Sequence, residues 1–77
     1  MKTEVKIRLS SIEDVRNFVE VVRQYEGDID LASGRYIVDA KSIMGIFSLD
    51  LMNPITLTAY GATSEQLLKD LTPYIVA

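Results

Sequence analysis

Histidine and cysteine are both absent from the 77 residues of this chain, and the two absences remove much of protein chemistry. Without cysteine there is neither a disulfide framework nor a thiolate nucleophile. Without either residue the usual zinc ligands are missing, so no structural metal is expected. No Ser–His or Cys–His pair can be assembled for nucleophilic catalysis. Lys41 beside Ser42 does not replace one, because adjacent residues on a helix do not face each other. The chain is therefore not expected to be an enzyme, and no cofactor is expected. No run approaches the roughly 18 apolar residues of a membrane span. The N-terminal MKTEVKIRLSS alternates apolar and charged residues, unlike the unbroken apolar stretch of a signal peptide. A net charge of −3 offers no basic field to nucleic acid. These patterns predict a soluble cytoplasmic protein that binds neither membrane nor nucleic acid.

What is present suits a small globular domain. Apolar residues make up 48% and charged residues 25%, too apolar for disorder. Residues 1–77 read as one domain with a thin core, given the surface-to-volume ratio of so short a chain. Val5, Ile7 and Leu9 alternate with Lys6 and Arg8, the period of a strand with one dry face. Ser10 and Ser11 stand three residues before Glu13 and Asp14, so either serine could open a capping box. Ile12, Val15, Phe18, Val19 and Val22 then mark one face of a helix, with Tyr25 as its final contact. Arg16 and Arg23 share another face and suit an acidic partner or surface pairs with Glu13 and Glu20.

Ile29 and Leu31 alternate with aspartates, Ser33-Gly34 reads as a tight turn, and Arg35–Val38 supplies the return strand. Ser42 caps a short helix running through about Leu49, weakened by Gly45. Asn53-Pro54 marks a turn, and Ile55, Leu57 and Ala59 alternate as a fourth strand. Thr63 or Ser64 starts a last helix with Leu67, Leu68, Leu71 and Ile75 as its stripe. Pro73 cannot donate the expected backbone hydrogen bond, so the last turn should distort. Tyr36 and Tyr60 read as strand packing, and the scattered aspartates show no metal spacing.

The order β-α-β-β-α-β-α implies an α+β fold of two layers, helices on one face of a four-stranded antiparallel sheet. Periodicity alone leaves a ferredoxin-like unit open as well. A middle helix of only about 12 Å, at 1.5 Å per residue, favours the open-faced sandwich.

One segment carries more. Val38–Leu51 reads VDAKSIMGIFSLDL, with Lys41-Ser42-Ile43-Met44-Gly45 followed by Ile46, Phe47 and Leu49. Together with Pro54-Ile55-Thr56-Leu57, Gly61, Phe18-Val19 and Ile29-Asp30-Leu31, it resembles HPr, the histidine-containing phosphocarrier protein of the bacterial phosphotransferase system. The resemblance implies the HPr-like open-faced β-sandwich. HPr-like proteins carry Gly-x-His-x-Arg-Pro before the first helix. Aligned on Phe18, Ser11 stands at the histidine, Glu13 at the arginine and Asp14 at the proline, with a connection about two residues shorter. A serine hydroxyl needs a base, and its phosphoester is too stable for a reversible relay. Glu13 and Asp14 would repel a phosphate where an arginine would hold it. Ser11 therefore reads as a helix cap rather than a phosphate acceptor.

The resemblance implies two further roles. Ser42 stands where HPr-like proteins of many Gram-positive bacteria receive a regulatory phosphate from an ATP-dependent kinase, with Lys41 as a neighbouring cation; its alternative is a plain cap. Ile43, Met44 and Phe47 stand on the face by which HPr-like proteins dock on partners, and a methionine-bearing patch is adaptable there; the alternative is that some of the three turn inward beside Ile46 and Leu49. The expected function is thus a regulatory protein-binding module of the phosphotransferase family that has lost phosphohistidine. Its partners would be other phosphotransferase-system components or a transcriptional regulator, contacted through Lys41, Ile43, Met44 and Phe47. The competing expectation, from the fold class alone, is a small-ligand-binding regulatory domain.

Overall fold

The computed structural model describes residues 2–61 and 65–76. Its elements are β1 (Lys2–Ile7), α1 (Ile12–Arg23), β2 (Ile29–Ser33), β3 (Tyr36–Asp39), α2 (Ile43–Phe47), β4 (Ile55–Tyr60) and α3 (Glu65–Leu71), followed by a 3₁₀ turn at Thr72–Tyr74. The strands form one antiparallel sheet in the order β1-β4-β2-β3. Helices cover one face, and the other lies open: this is the expected two-layer α+β sandwich.

Register explains why that face is dry. Val5 pairs with Leu57, and Leu57 with Leu31, which in turn pairs with Val38, so one row of apolar side chains crosses all four strands. The next row, Lys6, Thr56, Ala32 and Ile37, points to the open side, where Lys6 Nζ donates to Thr56 Oγ1 at 2.7 Å. Onto the apolar row α1 lays Val15, Phe18, Val19 and Val22, all buried. Phe18 is fully enclosed and meets Tyr74 edge-on, centroids 5.8 Å apart. Truncating such a phenylalanine to alanine typically costs about 3–5 kcal/mol.

Several expectations shift. The hairpin turn is Gly34-Arg35, one residue later than read from sequence, because Ser33 pairs with Tyr36. Gly34 has φ of 60° and Arg35 does not have positive φ, which fits a type II′ turn with glycine at its first central position. α2 stops at Phe47, where the Ser48 N–H and Oγ–H both donate to the Gly45 carbonyl, at 3.1 and 2.6 Å. Ile12, the first helical residue of α1, projects into solvent instead of joining the core stripe. Leu68 is only half-buried, and Ile75 is exposed, because Pro73 turns the chain through the 3₁₀ segment. Ile75 then bridges Ile7, with Arg8 N–H donating to Tyr74 O and Val76 N–H to Lys6 O. Tyr36 is 70% and Tyr60 42% exposed, so neither packs as a core strand residue. Thr63 and Ser64, the expected start of α3, lie outside the described residues. Among the described residues, no helix is long and apolar enough to cross a membrane.

Candidate functional site

Ser11 sits at the N-cap of α1 in extended conformation, φ −146° and ψ 166°. Its Oγ accepts the Asp14 N–H at 3.1 Å. Asp14 returns the contact one residue further back, its carboxylate accepting both the N–H (3.0 Å) and the Oγ–H (3.2 Å) of Ser10. Both serines named as possible caps are thus used, one as acceptor and one as donor. Glu13 and Asp14 fill the first turn, where the helix dipole favours negative side chains. Burial first, and then the Asp14 carboxylate, push the Tyr74 phenol above its ordinary pKa.

Ser42 makes the same motif on a smaller scale. It caps α2, its exposed Oγ accepting the Gly45 N–H at 3.2 Å while its own N–H donates to Asp39 O. A Cβ on Gly45 would lie 3.2 Å from both Ser42 Oγ and Val38 Cβ. Glycine here lets the short helix lie close on β3, a packing role that its helix propensity does not reveal. Ile46 and Leu49 are buried beneath it.

The residues read as a docking face divide. Ile43 turns partly inward against the core, whereas Met44 is 79% and Phe47 44% exposed. Lys41 is partly buried. Its Nζ donates to Tyr25 O at 2.7 Å and Gly27 O at 3.3 Å, tying the chain before α2 to the segment after α1. The Lys41 ammonium is thus engaged by two backbone carbonyls, and the expected roles as a contact residue or as the cation beside Ser42 would draw on that same group.

Beside Phe47 lies an open apolar groove of about 530 Å³, walled by Leu9, Ser10, Ser11 and Ile12 on one side and by Phe47, Leu51 and Met52 on the other. Met52 is 84% exposed. Arg8 supplies its cation, with Nη2 donating to Met52 O at 3.2 Å. Arg8, Ile12, Leu51 and Met52 were not singled out as site residues from the sequence. The available signals were an apolar pair, Leu51-Met52, running into a turn, and an isoleucine straight after a cap. The groove therefore brings Ser11 and Phe47 together, while Ser42 and Met44 stand outside its lining. It offers apolar contact and one guanidinium, with no imidazole or thiol to form a phosphoryl bond. Among the described residues, no group of three histidine, cysteine or acidic side chains is placed to hold a metal ion.

The PTS-HPr family model, described as the "PTS HPr component phosphorylation site", matches residues 14–76. The match begins after Ser11 and takes in α2 and its cap. No curated protein matches the chain. Among solved structures it is similar to HPr-C-His from Thermoanaerobacter tengcongensis, at 28% identity and a TM-score of 0.74 over 95% of this chain and 88% of that one. It is also similar to a phosphocarrier protein HPr from Bacillus anthracis str. Ames, at 28% identity and a TM-score of 0.71 over 99% of this chain and 96% of that one. With the sheet order, the short capped α2 and a family match over most of its length, this chain belongs to the HPr phosphocarrier family of the phosphotransferase system.

Proposed function

We propose that this chain no longer carries phosphohistidine and works instead as a regulatory module that binds proteins through the exposed side of α2. The observation that carries the reading is the pairing of loss and retention around one groove. Where the family's phosphoryl acceptor would stand, Ser11 is spent on capping α1. Opposite it, the apolar residues Phe47, Leu51 and Met52 remain accessible, with Met44 further along the same helix as Phe47. An apolar, methionine-rich surface suits adaptable contact with other proteins, here phosphotransferase-system components or a transcriptional regulator. Ser42 is the point at which such binding would be regulated. Its hydroxyl is exposed two residues from Met44, and a phosphate there would add about −1.5 to −2 charges at the edge of the docking face. With Lys41 engaged elsewhere, backbone N–H groups alone would receive that charge.

Two assays test the reading. Incubated with phosphoenolpyruvate and the general phosphotransferase enzyme, the chain should remain unlabelled; stable labelling would end the claim that transfer is lost. Met44→Asp should abolish capture of phosphotransferase-system proteins while leaving the melting curve unchanged, since Met44 lies in solvent. Undiminished capture by a folded Met44→Asp chain would move the interface off α2.

A further inference from the structure

The two edges of the sheet are treated differently. β1 carries Lys2, Glu4 and Lys6 at alternate positions, and residues 74–76 cover its far end. Charges and covering segments are the usual guards of an edge. β3 has neither. It reads Tyr36-Ile37-Val38-Asp39, without lysine or proline, and Tyr36 and Ile37 are each 70% exposed.

Its backbone can be assigned. Tyr36 flanks a two-residue turn and Ala40 N–H donates to Ile29 O, so Tyr36, Val38 and Ala40 bond inward to β2. By alternation Ile37 turns both N–H and C=O outward, as does Asp39. The Asp39 carbonyl already accepts from Ser42, while its N–H faces out.

We propose that β3 pairs antiparallel with β3 of a second copy of this chain, about a two-fold axis at Ile37. In that register the Ile37 N–H and C=O groups satisfy each other reciprocally. Tyr36 falls opposite the second copy's Val38 on the helical side. Arg35, in the turn just before β3, comes level with the second copy's Asp39. The segment is thus complementary to its own reverse, positive at one end, negative at the other and apolar between. Asp39 Oδ1 holds the Lys41 N–H at 2.9 Å, leaving its second oxygen for the guanidinium. An isologous contact of this kind closes on itself and yields a dimer rather than a fibre. A four-residue strand makes a small interface, so association is weak and concentration-dependent.

Sedimentation equilibrium of the intact chain, from about 10 μM to about 1 mM, should give an average mass rising toward twice the monomer's, as a small interface requires. Arg35→Asp places like charges opposite each other twice across the axis and should weaken association about tenfold or more. The exchange Arg35→Asp with Asp39→Arg restores opposite charges and should recover it. Ile37→Lys, at a solvent-exposed site, should melt like wild type and stay monomeric. A wild-type chain that is monomeric throughout overturns the proposal. So does an Arg35→Asp or Ile37→Lys chain that dimerises as tightly as wild type.

Discussion

Replacing Ser11 by alanine tests whether this position is now architectural. The substitution removes the acceptor for the Asp14 N–H and leaves that donor at the exposed first turn of α1. Loss of an N-cap side chain costs about 0.5–2 kcal/mol. Ser11 is exposed, so water can partly replace its oxygen, and the Asp14 carboxylate still holds Ser10. These two features put the cost near 1 kcal/mol, a fall of about 4–8 °C in Tm for a domain of this size. Ser11→Asp keeps an acceptor in place and should stay within a few tenths of a kcal/mol of wild type, although it adds a third carboxylate beside Glu13 and Asp14. Urea denaturation of the three proteins, compared at equal m-value, reads the difference. If Ser11→Ala is as stable as wild type, the serine is not an effective cap, and the proposal that it is spent on capping fails.

Lys41→Met keeps the aliphatic stem but loses the bonds to Tyr25 O and Gly27 O, so stability should fall by about 1–3 kcal/mol. Capture of partners at a temperature where the variant is folded should not change; lost capture would return Lys41 to the docking face. Gly27→Ala places a Cβ 2.5 Å from Tyr25 Cε2 and 2.9 Å from the Tyr60 carbonyl, and the forced shift should cost about 1–3 kcal/mol in urea denaturation. The Tyr74 phenol has a pKa raised above its ordinary 10.0, so at alkaline pH the folded chain keeps a proton that the unfolded chain releases. Stability from this group is complete below about pH 10 and is lost as pH rises through the folded-state value. Tyr74→Phe should flatten that decline in a series of melts above pH 9.5, and parallel curves for the two proteins would contradict it.

Much of the architecture was legible because it repeats. Val5-Ile7, Leu31 and Leu57 show period two, and Val15, Phe18, Val19 and Val22 show the helical period, so each element declares its dry side without reference to the others. Ser11 and Ser42 were legible as caps because a cap is a local bond over three residues. Ile12 fits the helical period but stands ahead of the sheet's reach, which no pattern within α1 encodes. Ile75 fits the stripe of α3 only if the helix continues, and Pro73 stops it. The tether of Lys41 and the groove between Ser11 and Phe47 each join segments distant in sequence, so they exist only once the chain has packed. Family resemblance pointed to the α2 face; it could not separate Ile43, which turns inward, from Met44, which does not.

The placement of β1 has a consequence for how the protein is made. β1 is synthesised before the residues that bond its backbone, β4 and the segment 74–76, which lie far downstream in the chain. Ile7 must wait for Ile55 on one flank and Ile75 on the other. Until then Val5, Ile7 and Leu9 travel as an unpaired apolar strand, the kind of segment that nascent-chain chaperones bind. Closing such distant pairings limits the folding rate, so completion of the sheet, rather than formation of α1, should set the time at which the emerging chain becomes resistant to proteases.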